Sequence, residues 1–450
     1  MQTARPLQRI LGLGFGLALV FGNMTGVGIL RLPGMVAASL GDRRLIMLFW
    51  ALGGFYALMG ATAVAELAAA IPEAGGFRIY ARRAFGERFG FAIGWCDWLC
   101  NVGVLASGSV TAVAFLGVLW PAATAYPRLA ATSILAAFTA AHWMGLRVGG
   151  SLTRLVSIAV GSMLMILIGM CFLAGSATHT SAMLPAGTAA SLPFLSIAML
   201  VAIVPALRAV LTAYDGWYAP IYMAEEQSNP ARSLPRAIIG GTLLVSALYL
   251  IINFALLRVL SLPVLAASEL PAADAARLVF PRGGAELVTL ISLFTILSLI
   301  NSEVLITPRV LFSIGRDGLF SEKAAVVSDG GTPRVALTLT SVVAAGLILS
   351  GTFAQIIALN AVLFLLYYVS AFSAVFMLRH RQPQLPRPYK AFGYPFSTAV
   401  VLVGSVVFLL AAIAEDLRSG LIAAALLAAC VPVYSWMARR RTRRTGLVAA

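Results

Sequence analysis

Histidine is nearly missing from this 450-residue chain: His142, His179 and His380 are all it has. None stands in a Glu-x-x-His or similar pair, and no nucleophile–base spacing appears, so an intramembrane enzyme has no visible machinery here. Cysteine is equally scarce. Cys96, Cys100, Cys171 and Cys430 all lie in apolar runs. Cys96 and Cys100 share a helix face at i, i+4, but further metal ligands are lacking nearby, so helix packing is their expected job. No metal and no cofactor is expected. Charge is the third shortage: Asp, Glu, Lys and Arg make up 11% of the chain against 60% hydrophobic residues, and the mean hydropathy is +0.93. No soluble fold of this size hides so much apolar surface, which leaves an integral membrane protein. The apolar run from Ile10 is too long for a cleavable signal peptide.

The charge that is present is lopsided. A net charge of +15 invites nucleic acid as a partner, but its distribution argues for a bilayer instead. Loop 72–88 carries Arg78, Arg82, Arg83 and Arg88, and loop 379–393 carries Arg379, Arg381, Arg387 and Lys390. The C-terminal Arg439, Arg440, Arg441, Arg443 and Arg444 fall on the same side, whereas loop 175–191 on the opposite side has no Lys or Arg. By the positive-inside rule both termini are cytoplasmic, and the C-terminal arginines read as an anchor against anionic lipid. The partners expected are therefore a lipid bilayer and a small molecule, with no nucleic acid. Arginine dominance and abundant alanine hint at a GC-rich bacterial genome, hence a multi-pass protein of the inner (plasma) membrane.

About twelve membrane-spanning helices are expected, at 10–39, 45–71, 89–119, 126–145, 150–174, 192–227, 235–259, 284–313, 333–350, 354–378, 394–413 and 419–437, with a short surface helix around Ala272–Phe280. Two of these spans read as broken. In the first, Gly22, Gly26 and Gly28 crowd the middle, and Pro33-Gly34 follow. Glycine inside a helix costs roughly 1 kcal/mol against alanine, so three together invite unwinding near 23–28. Close helix packing through small residues is the competing explanation. In the second, Thr212-Ala213-Tyr214-Asp215-Gly216-Trp217 places a carboxylate and a glycine mid-membrane, within a segment too long for one straight helix. Unwound backbone is tolerated at that depth only where protein, water or a ligand satisfies it. Two interrupted helices at corresponding positions of two five-helix halves point to an inverted-repeat transporter. The halves are residues 1–174 and 192–378, with 394–450 supplying two further helices and a basic tail.

The motifs resemble the amino acid–polyamine–organocation superfamily, nearest to the branch of the L-type amino acid transporters and bacterial serine/threonine exchangers. Gly22–Pro33 is similar to its glycine-rich first-helix motif. Ala65-Glu66-Leu67 through Ile71-Pro72, Gly75-Gly76, Tyr80, Ala84-Phe85-Gly86 and Gly94-Trp95 resemble its second-helix, loop and third-helix signature. Ala213–Trp217, Glu225-Glu226 and Asn229-Pro230 resemble the sixth-helix signature; Arg309, Arg316-Asp317-Gly318 and Pro333 resemble the eighth-helix exit. Arg387-Pro388-Tyr389-Lys390 and Tyr394-Pro395 match the loop before helix eleven. The resemblance implies an all-α membrane fold of the leucine-transporter type. It also implies a secondary transporter, permease or exchanger, that moves amino acids by alternating access. A neutral amino acid is the substrate expected; a polyamine, organic-cation or small-metabolite permease of the same fold is the alternative, and a non-transporting receptor a third reading. A thermal-shift screen with amino acids, polyamines and organic acids, with and without sodium and across pH, separates them.

The substrate site is expected to combine Thr25, Gly26, Val27 and Gly28 with Thr212, Ala213, Tyr214, Asp215 and Trp217. Free N–H groups at the start of the second half-helix suit an α-carboxylate, and carbonyls at 212–214 suit an α-ammonium. Thr212 stands where L-type members have a gating aromatic, so occlusion falls to another residue such as Tyr214 or Trp217. Helix five lacks the lysine that replaces a sodium ion in some relatives, which leaves the coupling ion, H+ or Na+, open. Ionisable groups inside the membrane are functional candidates by default. Arg31, Arg208, Ser298, Asn301 and Glu303 are candidates for gating or coupling. Glu303 can pair with Arg31 or Arg208 or carry a proton, and Arg208 can form an outer-gate ion pair. Glu66 is expected to be structural, and Asp97 to stay near the cytoplasmic vestibule. Tyr367 and Tyr368 are expected to face lipid or neighbouring helices.

Overall fold

In hydrocarbon a chain must satisfy its own N–H and C=O groups, and here the apolar runs do so as helices. The computed structural model describes residues 6–174, 197–351 and 353–448. In chain order its helices are α1 (Leu13–Met24), α2 (Gly28–Leu40), α3 (Arg43–Ala70), α4 (Phe77–Phe85), α5 (Glu87–Leu119), α6 (Pro127–Trp143), α7 (Leu146–Leu173) and α8 (Ile197–Ala213). They continue as α9 (Pro230–Val259), α10 (Leu262–Ala267), α11 (Pro271–Val279), α12 (Gly284–Arg316), α13 (Arg334–Ser350), α14 (Phe353–Arg381), α15 (Phe396–Glu415) and α16 (Leu417–Val448). Among the described residues there is no β-strand, only an isolated parallel bridge between Leu11 and Gln227.

Each of the twelve expected spans holds a helix. Among the described residues eight single helices are long and apolar enough to cross a bilayer, and α1 with α2 make a ninth span bent by 47°. The remaining three, α6, α8 and α13, are 17 residues each, about 25 Å at 1.5 Å per residue. The stretch 175–191 and the start of the sixth span lie outside the described residues. The short helix expected near 272–280 is present as α11, but it is no mere surface helix. Ala272, Ala273, Ala275 and Ala276 are buried, and Gly34 of α2 approaches so closely that a Cβ there would sit 2.3 Å from Ser268 O.

α12 is the axis of the bundle: 72% of its most apolar stretch is buried, against 22% for α15 and 17% for α16, which lie at the periphery. It packs on α5 and α7, while α1 packs on α9 and α7, α2 on α8, and α3 on α9. Small residues permit these close crossings. A Cβ at Gly16 would lie 2.6 Å from Ala237 Cβ, and one at Gly241 2.6 Å from Val20, so α1 and α9 meet almost backbone to backbone.

One end of the bundle is closed by ion pairs. Arg78 donates to Ser313 Oγ at 2.5 Å and pairs with Asp317, which also takes Arg82 Nη1 at 2.7 Å. Burial draws the Arg78 guanidinium below its usual range, and the Asp317 carboxylate beside it opposes the shift. Arg316 meets Glu225 at 2.7 Å, and Arg441 of α16 meets Glu87 at 2.6 Å. Glu66 has the structural role expected of it: it takes Arg379 at 2.5 Å, Arg387 at 3.3 Å and the Ala391 N–H at 2.7 Å, fixing the loop after α14. Deepest of all, Glu226 and Arg309 form a forked pair at 2.9 and 3.3 Å, both almost without exposure.

Candidate functional site

The first break is real and short. α1 ends at Met24 and α2 begins at Gly28, leaving Thr25, Gly26 and Val27 between them. Thr25 is buried and turns its hydroxyl back to Phe21 O. The N–H of Gly26 folds back to Met24 O at 2.7 Å. Among the described residues the N–H groups of Val27 and Gly28 find no backbone carbonyl, and no side chain caps α2. These are the orphan donors expected at any helix start, here placed in the middle of a membrane protein.

The three glycines of this span divide into two kinds. A Cβ at Gly22 would lie 2.5 Å from Ser298 Oγ and 3.0 Å from Ser157 Oγ, so Gly22 exists for helix packing. A side chain at Gly26 would instead begin in open space, with Gly28 N at 3.9 Å and Met24 O at 4.0 Å its nearest atoms. Asn23, Gly26, Val27 and Gly28 are all partly exposed although they sit deep in the bundle.

The second break follows α8. Residues 214–218 form turns, with Gly216 at φ +106°, and the chain continues as a 3-10 helix, Ala219–Glu226, rather than as the second half-helix expected. Pro220 opens that helix, and Met223 leaves helical geometry within it. The two breaks touch. The Cβ position of Gly216 lies 2.9 Å from Asn23 C and O, and that of Gly28 lies 3.9 Å from Ala213 Cα. Tyr249 of α9 spans them, its hydroxyl lying 2.7 Å from Met24 O and 3.1 Å from Ala213 O. One hydroxyl has one proton, and Met24 O also accepts from Gly26 N, so Ala213 O is the carbonyl that depends on Tyr249.

Tyr249→Phe removes the only donor these two carbonyls share. It is expected to cost about 1–3 kcal/mol of stability, since the Ala213 carbonyl loses its donor while Met24 O keeps the Gly26 N–H. A thermal melt of the purified variant checks this, and an unchanged melting point would show that water replaces the hydroxyl.

The remaining candidates separate clearly. The Thr212 carbonyl accepts from Asp215 N at 3.3 Å, and its side chain is exposed. Tyr214 is no gate: its ring is buried against Trp50, 5.9 Å between centroids, and its hydroxyl donates to Trp50 O at 2.9 Å. Trp217 is buried and stacks on Tyr368 at 5.6 Å with 8° between planes. Tyr368 also donates to Asp215, and Tyr367 stacks on Phe77 at 4.6 Å, so of the two expected surroundings, lipid or neighbouring helices, both tyrosines have the second. Arg208 pairs with Glu415 of α15, and both side chains are more than half exposed. It therefore lies at the rim, and an outer-gate role across the breaks is not what it serves. Arg31 is exposed and makes no ion pair among the described residues, so neither arginine partners Glu303.

On α12, Ser298 faces Gly22 with its hydroxyl unpartnered. Asn301 is committed elsewhere, to His142 Nε2 at 2.9 Å and Thr153 Oγ1 at 2.8 Å, which is helix–helix bonding. Glu303 is buried, accepts from Thr307 at 3.0 Å and lies beside Asn23, whose amide nitrogen nevertheless has no partner within hydrogen-bond distance. Asp97 is fully buried on α5, not in a vestibule, and accepts from Tyr222 at 2.7 Å. Tyr249 and Asn23 are not among the residues the sequence singles out for the site, and Tyr368 is singled out only for packing; a tyrosine within an apolar helix is the one available signal.

Two touching helix breaks with opposed donors and acceptors narrow the search to carriers, and the sequence profile described as Amino acid permease matches residues 16–431. The chain belongs to the amino acid permease family. The permease is 28% identical over 440 residues to the serine/threonine exchanger SteT of Bacillus subtilis, covering 97% of this chain and 98% of that one. It is 27% identical over 421 residues to the b(0,+)-type amino acid transporter 1 of Mus musculus, with 91% and 84% covered. It is 26% identical over 411 residues to the large neutral amino acids transporter small subunit 2 of Homo sapiens, with 85% and 72% covered.

Proposed function

We propose that this permease exchanges amino acids, neutral ones foremost, across a bacterial plasma membrane by alternating access, with both termini cytoplasmic. The substrate lies between the breaks. Its α-carboxylate takes the open N–H groups of Val27 and Gly28, where the helix dipole of α2 favours an anion. Its α-ammonium takes the carbonyls at Ala213 and Tyr214, and Trp217 with Tyr368 covers it. The five spans ending with α7 and the five ending with α14 form the two inverted repeats, with the paired breaks in the first span of each.

The observation that supports this reading most is the empty space beside Gly26, where backbone donors stand uncovered in the heart of the bundle. The kinship with a serine/threonine exchanger favours exchange over one-way uptake. Counterflow in proteoliposomes is the test. Vesicles preloaded with serine, threonine, leucine or lysine are expected to take up the labelled form of at least one, saturably. No counterflow with any common amino acid would overturn the proposal.

A further inference from the structure

We propose that the basic end of α16 carries a binding cleft for the headgroup of an anionic phospholipid, with Arg440 as its phosphate ligand. A cavity of about 360 Å³ opens between the turn that follows α12 and this end of α16. Gly318, Phe320, Trp436, Arg440 and Arg441 wall it, and Glu322 stands on its exposed rim. The helix itself lies at the periphery, with 17% of its most apolar stretch buried. Ile422, Ala429, Val433, Trp436 and Arg440 are exposed and follow one another at helical spacing, so one stripe runs from bare apolar surface to a cation. From Leu417 to Arg440 the helix rises about 35 Å at 1.5 Å per residue, a little more than the roughly 30 Å of a hydrocarbon core. Trp436 and Arg440 therefore stand at the headgroup level, where amphipathic rings and cations belong.

The two arginines of the cleft differ. Arg441 is engaged: it meets Glu87 at 2.6 Å and donates to Asp317 O at 2.9 Å. Gly318, at φ +71°, lets it come this close, since a Cβ there would lie 3.0 Å from Arg441 Cδ. Arg440 has no carboxylate partner among the described residues, and its guanidinium carbon lies 3.8 Å from the centroid of the Trp436 ring. A guanidinium that close over an indole turns its face to the ring and keeps its N–H edge for an acceptor. That edge matches two oxygens of a phosphodiester. Phe320 and Trp436 offer apolar walls to the glycerol backbone. The cavity is too small for the acyl chains, which are left to lie along the exposed stripe of α16. A free phosphate suits the cleft less. It has no apolar part to cover the two rings, and its second ionisation meets Glu322, whereas a phosphodiester carries a single charge. A bound headgroup ties α16 to the turn at Asp317, the carboxylate that also takes Arg78 and Arg82.

The test needs no transported substrate, so its outcome stands apart from the carrier reading. The full chain, delipidated in mild detergent, is melted with dioctanoyl phosphatidylglycerol, dioctanoyl phosphatidylcholine, glycerol 1-phosphate or inorganic phosphate at equal concentration. Phosphatidylglycerol is expected to raise the melting midpoint by about 2 °C or more, and each of the others by less than half of that. Arg440→Gln should melt like wild type without lipid, because its side chain is exposed, and should lose the phosphatidylglycerol shift. Arg439→Gln, exposed beside it but outside the cavity, should keep the shift. An equal loss in both variants would mean diffuse attraction to a basic tail and would overturn the cleft. A shift of the same size from phosphatidylcholine would overturn the selection for an anionic headgroup, and one from inorganic phosphate would overturn the lipid as occupant. Absence of a phosphatidylglycerol shift in wild type overturns the proposal even where a variant misfolds.

Discussion

Gly26→Leu is expected to abolish substrate uptake while leaving the protein folded. The Cβ of residue 26 would emerge into open space, its nearest atoms belonging to its own turn at 3.9 and 4.0 Å. Nothing there resists a larger residue during folding, so the melting point should stay within a degree or two of wild type. The same volume is where the substrate must lie to reach the N–H groups of Val27 and Gly28. Losing about 3 kcal/mol of contact is roughly a hundredfold in affinity, so counterflow should drop to background. Two controls frame the result. Gly14→Leu points into open space on the outer face of α1 and should transport normally. Gly216→Ala should fail for a different reason: φ is +106° and its Cβ would stand 2.9 Å from the Asn23 backbone, so the melt falls before transport is in question. Saturable uptake in Gly26→Leu would move the substrate site elsewhere.

The largest loss of stability is expected from Arg309→Met. Among the described residues its guanidinium is the only counter-charge to Glu226, and both side chains are almost fully buried. Removing one partner of such a pair costs about 3–5 kcal/mol, because the survivor stays desolvated and unpaired. The double variant Glu226→Gln/Arg309→Met has no orphaned charge and should recover much of the lost melting temperature. A single variant that melts like wild type would mean that water reaches Glu226.

The spans and the first break were legible because they are written in short-range terms: uninterrupted apolar length, and glycines that weaken one turn. The position of the second break was equally plain from Asp215-Gly216, but the 3-10 helix after it was not. Its geometry comes from Pro220 and from packing against α12 and α1, which no local pattern records. Contacts distant in sequence were invisible. Tyr368 reaches Asp215 across 153 positions, and Tyr249 reaches Met24 across 225. Around Arg208 the sequence carries a readable pattern. Ala206, Ala209, Val210 and Ala213 are buried at helical spacing, which leaves Val204, Arg208 and Thr212 on the opposite, exposed stripe. That periodicity alone places Arg208 at the rim and turns the Thr212 side chain away from the packed face. Asp97 was expected near the cytoplasmic vestibule and is fully buried, since the depth of a helix residue depends on tilt and neighbours that no local pattern records.

The bridge at Leu11 constrains how this protein can move. Leu11 N donates to Glu226 O at 3.0 Å, and Ser228 N donates to Leu11 O at 2.8 Å. The leading arm of the first span is thus stitched to the trailing arm of the sixth, and the Glu226–Arg309 pair rivets both to α12. Neither arm can swing alone without tearing two peptide hydrogen bonds. They must rock as one lever, pivoting where the chain is already slack, at 25–27 and 214–218.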